Sequence, residues 1–122
     1  MSILKFVGRA ALVSIFVQGG LSALHDPKQR ARLVERAGLP SPELLTQLNG
    51  GVMAASGLMV ALGVLPRTFS LTLLASMVPT TVVGHPFWQL EGRERQGQML
   101  HFAKNVAMMG GLLLIVADDD NA

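Results

Sequence analysis

The chain has 122 residues, half of them hydrophobic and only 15% charged, with a mean hydropathy of +0.44. A water-soluble domain of this size carries about 25% charged residues, so the deficit points to lipid as the solvent. Cysteine is absent, which excludes disulfides and thiolate metal sites within the chain, and a net charge of +2 gives a nucleic-acid partner no support.

Four apolar segments follow in chain order, at 3–24, 48–65, 69–84 and 99–117. A bilayer core of about 30 Å takes about 20 helical residues, with about 17 tolerated. None of the segments alternates apolar and polar residues, so helices are expected rather than barrel strands. The expected fold is all-α: one transmembrane domain over residues 1–122, built as an integral membrane four-helix bundle.

The first segment carries Lys5, Arg9 and Gln18. Arg9 is expected to snorkel to the terminal side and Gln18 to bond a neighbouring helix. A signal-peptide reading, with Lys5 and Arg9 before an apolar core and Leu21-Ser22-Ala23, is weaker. The apolar stretch runs on to Leu24, and its removal would leave three spans. Asp26-Pro27 reads as an N-cap and first helical residue, opening a short basic helix over 27–37 that Gly38 and Pro40 end. Leu33 and Val34 would rest on the interface while the arginines meet lipid phosphates; a solvated linker helix is the plainer alternative.

The second segment is rich in small residues. Gly50 with Ala54 and Gly51 with Ala55 form small-xxx-small pairs, and Gly110-Gly111 in the fourth segment suits the same close packing. Such faces serve a bundle, a homo-oligomer or a partner equally well. Pro66-Arg67 reads as a tight turn. Pro79, followed by Thr80 and Thr81, predicts a kink in the third segment, where hydroxyls can satisfy a freed carbonyl.

With four spans, both termini and the Pro66-Arg67 turn share one side, and the connections 25–47 and 85–98 share the other. Lys28, Arg30, Arg32, Arg36, Arg93 and Arg95 outnumber Lys5, Arg9 and Arg67, so the positive-inside rule favours cytoplasmic connections and termini outside the cytoplasm.

The same topology gathers His25, His85 and His101 at one membrane face, with Phe87 and Trp88. His101, Lys104, Asn105 and Met108 follow helical spacing. One reading is a quinone pocket of His85, Trp88, His101, Lys104 and Asn105, with Lys104, Asn105 or a histidine donating to the carbonyls and the ring stacked on Trp88 or Phe87. The plainer reading is membrane anatomy: a snorkelling lysine, an interfacial tryptophan and an interhelical asparagine bond. A three-histidine metal site is weaker still, because the ligands come from three segments without local spacing. The expectation is therefore no metal and no cofactor held within the chain beyond a quinone at the His85/Lys104 end. No nucleotide-binding loop, nucleophile elbow or metalloprotease motif is present.

Three stretches resemble the DoxX family of small four-helix bacterial membrane proteins. They are Arg9 to Leu12 through Phe16 to Gly19-Gly20-Leu21, then His85-Pro86-Phe87-Trp88, then Phe102-Ala103-Lys104-Asn105 through Gly110-Gly111-Leu112-Leu113. The family pattern often places a lysine after the first-span glycine, where this chain has Ala23. The resemblance implies a multi-pass protein of the bacterial inner membrane, tied to redox systems such as thiosulfate:quinone oxidoreductases and stress-response assemblies. The expected role is a small subunit or accessory of a membrane redox complex, in contact with the lipid bilayer and with other redox proteins. A non-catalytic scaffold is the first alternative. Small-solute transport is the second, weakened by the lack of an embedded acid and of paired broken helices.

Overall fold

The computed structural model describes residues 2–84 and 87–118. Its helices are α1 (Ile3–His25), α2 (Lys28–Arg36), α3 (Pro42–Leu62), α4 (Pro66–Gly84) and α5 (Gly92–Ala117), with a short 3-10 turn at Phe87–Gln89.

Local chemistry sets the boundaries. The hydroxyl of Ser2 accepts the Lys5 backbone N–H at 3.1 Å and starts α1. Asp26 ends α1, its N–H donating to the Ser22 carbonyl at 2.9 Å. The expected Asp26 cap on α2 is therefore corrected. Pro27, already helical at φ −78°, is the capping residue, and no side-chain cap bond is made there. Gly38 closes α2 at φ +80°, a backbone state open to glycine. Between α3 and α4, Gly63 takes φ +74°, and Val64 donates back to Met59 at 2.9 Å. Pro66 then opens α4, where its missing N–H costs nothing.

Two helices outrun their apolar segments. α3 begins at Pro42 and α5 at Gly92, because the helical ladder needs no lipid and runs on through polar residues such as Glu43, Gln47 and Arg93 to Gln98. α4 continues through Pro79 as one helix.

α2 does not lie free on the interface. It docks against α3 and α4 with Ala31 buried and Leu33 and Val34 half-buried. The Arg30 guanidinium turns back to donate to the Gly19 carbonyl at 2.8 Å.

The long helices form a bundle in which α1 packs on α3, α3 on α4, and α4 on α5. Val13, Phe16, Met53, Val60, Leu73, Met77, Leu112 and Ile115 form the core. Ile3, Leu4, Leu100 and Leu114 point outward, between 70% and 84% exposed, as a lipid-facing surface should. α1, α3 and α5 are long and apolar enough to cross a membrane. α4 is more polar and turns Ser70, Ser76 and Thr81 inward beside Leu73 and Met77.

The ends of three helices are tied at one end of the bundle. Lys5 pairs with Asp118 at 3.0 Å. Arg67, at the start of α4, donates to the Val116 carbonyl at 2.9 Å and the Asp118 carbonyl at 3.3 Å. A cation on the last carbonyls of α5 satisfies orphan acceptors and meets the negative end of the helix dipole.

The tightest contact is between α1 and α3. A Cβ on Gly20 would collide with the Gly50 carbonyl and the Ala54 backbone N, and one on Gly50 would lie 2.8 Å from the Gly20 carbonyl. Of the other small residues, Gly51 would meet only Leu24, at 3.8 Å, and Ala55 is exposed. A Cβ on Gly111 would sit 3.1 Å from Leu12, whereas one on Gly110 would meet nothing within 4 Å.

Overpacking costs about 1–3 kcal/mol, and at Gly20 and Gly50 backbone rather than a yielding side chain stands in the way. Gly20→Val and Gly50→Val are therefore expected to lose at least that much in reversible unfolding in detergent. Gly110→Ala is expected to stay within about 0.5 kcal/mol of wild type. Equal losses at the three positions would show that the glycine contact does not hold the bundle.

Candidate functional site

At the end of the bundle opposite the Lys5–Asp118 tie, the 3-10 turn lays two aromatic residues against α5. Leu90 closes the turn by donating to the Phe87 carbonyl at 3.1 Å. The Phe87 ring meets Trp88 at 5.4 Å and Phe102 of α5 at 5.2 Å, and Trp88 meets Phe102 at 6.0 Å. All three contacts are edge-on, the arrangement in which a positive ring edge meets a negative face. Phe87 and Phe102 are half-buried, whereas Trp88 remains 48% exposed. Phe102 was not among the sequence candidates. Its place directly after His101 was the available signal.

The other candidates divide around α5. Asn105 is buried and its amide donates to the Thr81 hydroxyl at 3.0 Å. That bond joins α5 to α4 just beyond Pro79. His101 and Lys104 are exposed. Residues two apart on a helix are turned by about 200°, so Phe102 and Lys104 lie on opposite sides of α5. The aromatic wall and Lys104 are not brought together. His85 lies outside the described residues.

A second polar link was missed from sequence. Ser76 of α4 donates to the Asn49 side-chain oxygen of α3 at 2.5 Å, and the Asn49 amide approaches the Met53 sulfur at 3.4 Å. Among the described residues, the Ser70 hydroxyl is buried with no hydrogen-bond partner.

The two polar residues of α1 depart from expectation. Arg9 is 6% exposed rather than reaching out to the surface, and Gln18 is exposed rather than bonded inside the bundle. Arg9 faces a cleft of about 230 Å³ between α1 and α5. Lys5, Gly8 and Leu12 line it from α1, and Gly111, Leu114, Ile115 and Asp118 from α5. The cleft is at the terminal end, away from the aromatic wall. His25 is exposed at the end of α1, and among the described residues no group of three histidine or acidic side chains is set to hold a metal ion.

The arrangement offers three things: an aromatic wall with one open indole, polar staples between helices, and a mainly apolar cleft along one helix seam. These features define a small, multi-pass helical membrane protein. A family model for DoxX matches residues 4–86, and the chain belongs to the DoxX family. That match covers α1 to α4 and stops before α5. The chain is also 25% identical over 113 residues to the inner membrane protein YphA of Escherichia coli (strain K12), covering 93% of this chain and 81% of that protein. With three helices long and apolar enough to cross a membrane among the described residues, it is a membrane protein. No solved structure matches it.

The Asn105–Thr81 bond yields a measurable coupling. Interhelical side-chain bonds in membranes contribute about 0.6–2 kcal/mol. A double-mutant cycle with Asn105→Ala and Thr81→Val should return a coupling in that range. Additive losses would show that the bond contributes nothing.

Proposed function

We propose that this protein is a small accessory subunit of a membrane redox assembly, and that it presents a quinone head group with the aromatic wall of Phe87, Trp88 and Phe102. The half-open Trp88 indole supports the reading, because a planar quinone ring stacks on such a face while the neighbouring rings hold it in place. His101, one residue before Phe102 and turned about 100° from it on α5, would supply a donor for a quinone carbonyl. Asn105 holds α5 to α4 and so fixes where these groups stand. Lys104, on the other side of the helix, takes no part in this contact.

Trp88 is the only tryptophan of the chain, so its fluorescence reports the site directly. Titration with a short-chain quinone should quench it saturably. His101→Ala should weaken the quinone by about tenfold, near 1.4 kcal/mol. Quenching that rises linearly without saturation would end the quinone reading.

The scaffold reading has its own observation. Ala103, Ala107 and Gly110 are exposed along α5, and Gly110 borders open space. A partner helix could approach closely there. Gly110→Leu should leave the isolated protein folded, with unchanged circular dichroism, and abolish co-purification of its partner in mild detergent. Unchanged co-purification would remove α5 from the docking surface.

A further inference from the structure

We propose that the cleft between α1 and α5 binds a small aliphatic carboxylate, its head group held by Arg9 and Lys5 and its chain leaving past Leu114 into the lipid. The proposal stands apart from the quinone reading, whose residues lie at the other end of the bundle.

The charged residues at the terminal end are unbalanced. Among the described residues, the cations there are Lys5, Arg9 and Arg67, and Asp118 is the one acid. α1 and α4 contain no acidic residue, and the acids of α3 and α5, Glu43 and Glu94, sit at the far ends of those helices. Lys5 pairs with the Asp118 carboxylate at 3.0 Å, and Arg67 donates to the Asp118 backbone carbonyl at 3.3 Å. One described carboxylate thus serves three cations. The positive end of the α1 dipole lies at the same end, and Arg67 covers the last carbonyls of α5.

Arg9 is where this imbalance meets open space. It is 6% exposed, yet it lines the cleft together with Lys5. A charge so far from water is tolerated only beside anions or hydrogen-bond acceptors. Its flat fork matches both oxygens of a carboxylate, and five N–H donors serve a ligand alongside a partner within the chain.

Shape selects the rest of the ligand. Leu12 closes the cleft on its inner side, 3.1 Å from where a Gly111 side chain would begin. A volume of about 230 Å³ is less than the roughly 300–1,000 Å³ of most small-molecule pockets, so the head group must be compact. Leu114 lines the cleft and is also 74% exposed, which makes the cleft continuous with the lipid-facing surface. Gly8 leaves the α1 side of the mouth open, since a Cβ there would meet nothing within 4 Å. The ligand that fits has one small anionic group and one flexible apolar chain.

Equilibrium dialysis of radiolabelled octanoate against the whole protein in non-ionic detergent, corrected with empty micelles, tests this. Octanoate should bind saturably, one per chain, at least tenfold more tightly than octanamide, which keeps the chain and loses the charge. Acetate, which keeps the charge and loses the chain, and phosphatidylglycerol, with its bulkier head group, should each displace it at least tenfold more weakly than unlabelled octanoate. Arg9→Gln should weaken octanoate about tenfold and Arg9→Lys less. Gly8→Leu fills the mouth without a clash, so it should weaken octanoate about tenfold with unchanged circular dichroism. Gly97→Leu, in equally open space near the other end of α5, should leave binding unchanged, as should His101→Ala. Equal binding of octanoate and octanamide, equal displacement by acetate or phosphatidylglycerol, or an equal loss in Gly8→Leu and Gly97→Leu would overturn the proposal. So would binding seen only after Asp119→Asn with Asp120→Asn, which would assign the cleft to the chain's own acidic tail.

Discussion

Gly20 of α1 and Gly50 of α3 meet with no side chain between them, and the rest of the bundle is arranged around that contact. In lipid the hydrophobic effect does not drive helices together, so close packing and polar bonds must. Ala23, Ala54 and Gly57 extend the contact along the same faces. α4 follows from the short turn after α3, and α5 from its packing on α4. Because α1 commits its smallest face to α3, it meets α5 less closely, and that seam retains a cleft.

Polar groups within the spans are used as fasteners at separate heights. Ser76 joins α4 to Asn49 of α3, and Thr81 joins α4 to Asn105 of α5. At the terminal end, Arg67 and the Lys5–Asp118 pair gather the ends of α1, α4 and α5. α4 is thus the polar strut of the bundle. Its inward Ser70, Ser76 and Thr81 make it less apolar than its neighbours, and the burial of Ser76 and Thr81 is offset by the hydrogen bonds they make. The opposite end carries the aromatic wall and the docked α2, which leaves the two ends chemically distinct.

The membrane class and the helical fold were legible in the sequence because composition and segment length constrain them without reference to contacts. So was the family, since its marks are local strings of residues. The site was legible only in part. Asn105 stood out as polar, but a list of residues cannot tell a pocket amide from one bonded to Thr81. Arg9 and Gln18 were both expected to behave by depth alone, whereas the face each occupies puts one in the cleft and the other outside. α2 read as an interfacial helix because its amphipathic pattern suits lipid and protein surfaces equally.

By itself, the sequence determined that this chain lives in a membrane, that its spans are helices, and which end carries Phe87 and Trp88. Those properties follow from hydropathy and from the need to satisfy backbone groups within each segment. The tertiary structure alone decided which side of α5 each candidate faces, that Phe102 completes the aromatic wall, and that Arg30 turns back to the Gly19 carbonyl. Each of these depends on the rotation and register of one helix against another. That is settled by a few close contacts, such as Gly20 on Gly50 and Lys5 on Asp118, whose partners are far apart in the chain.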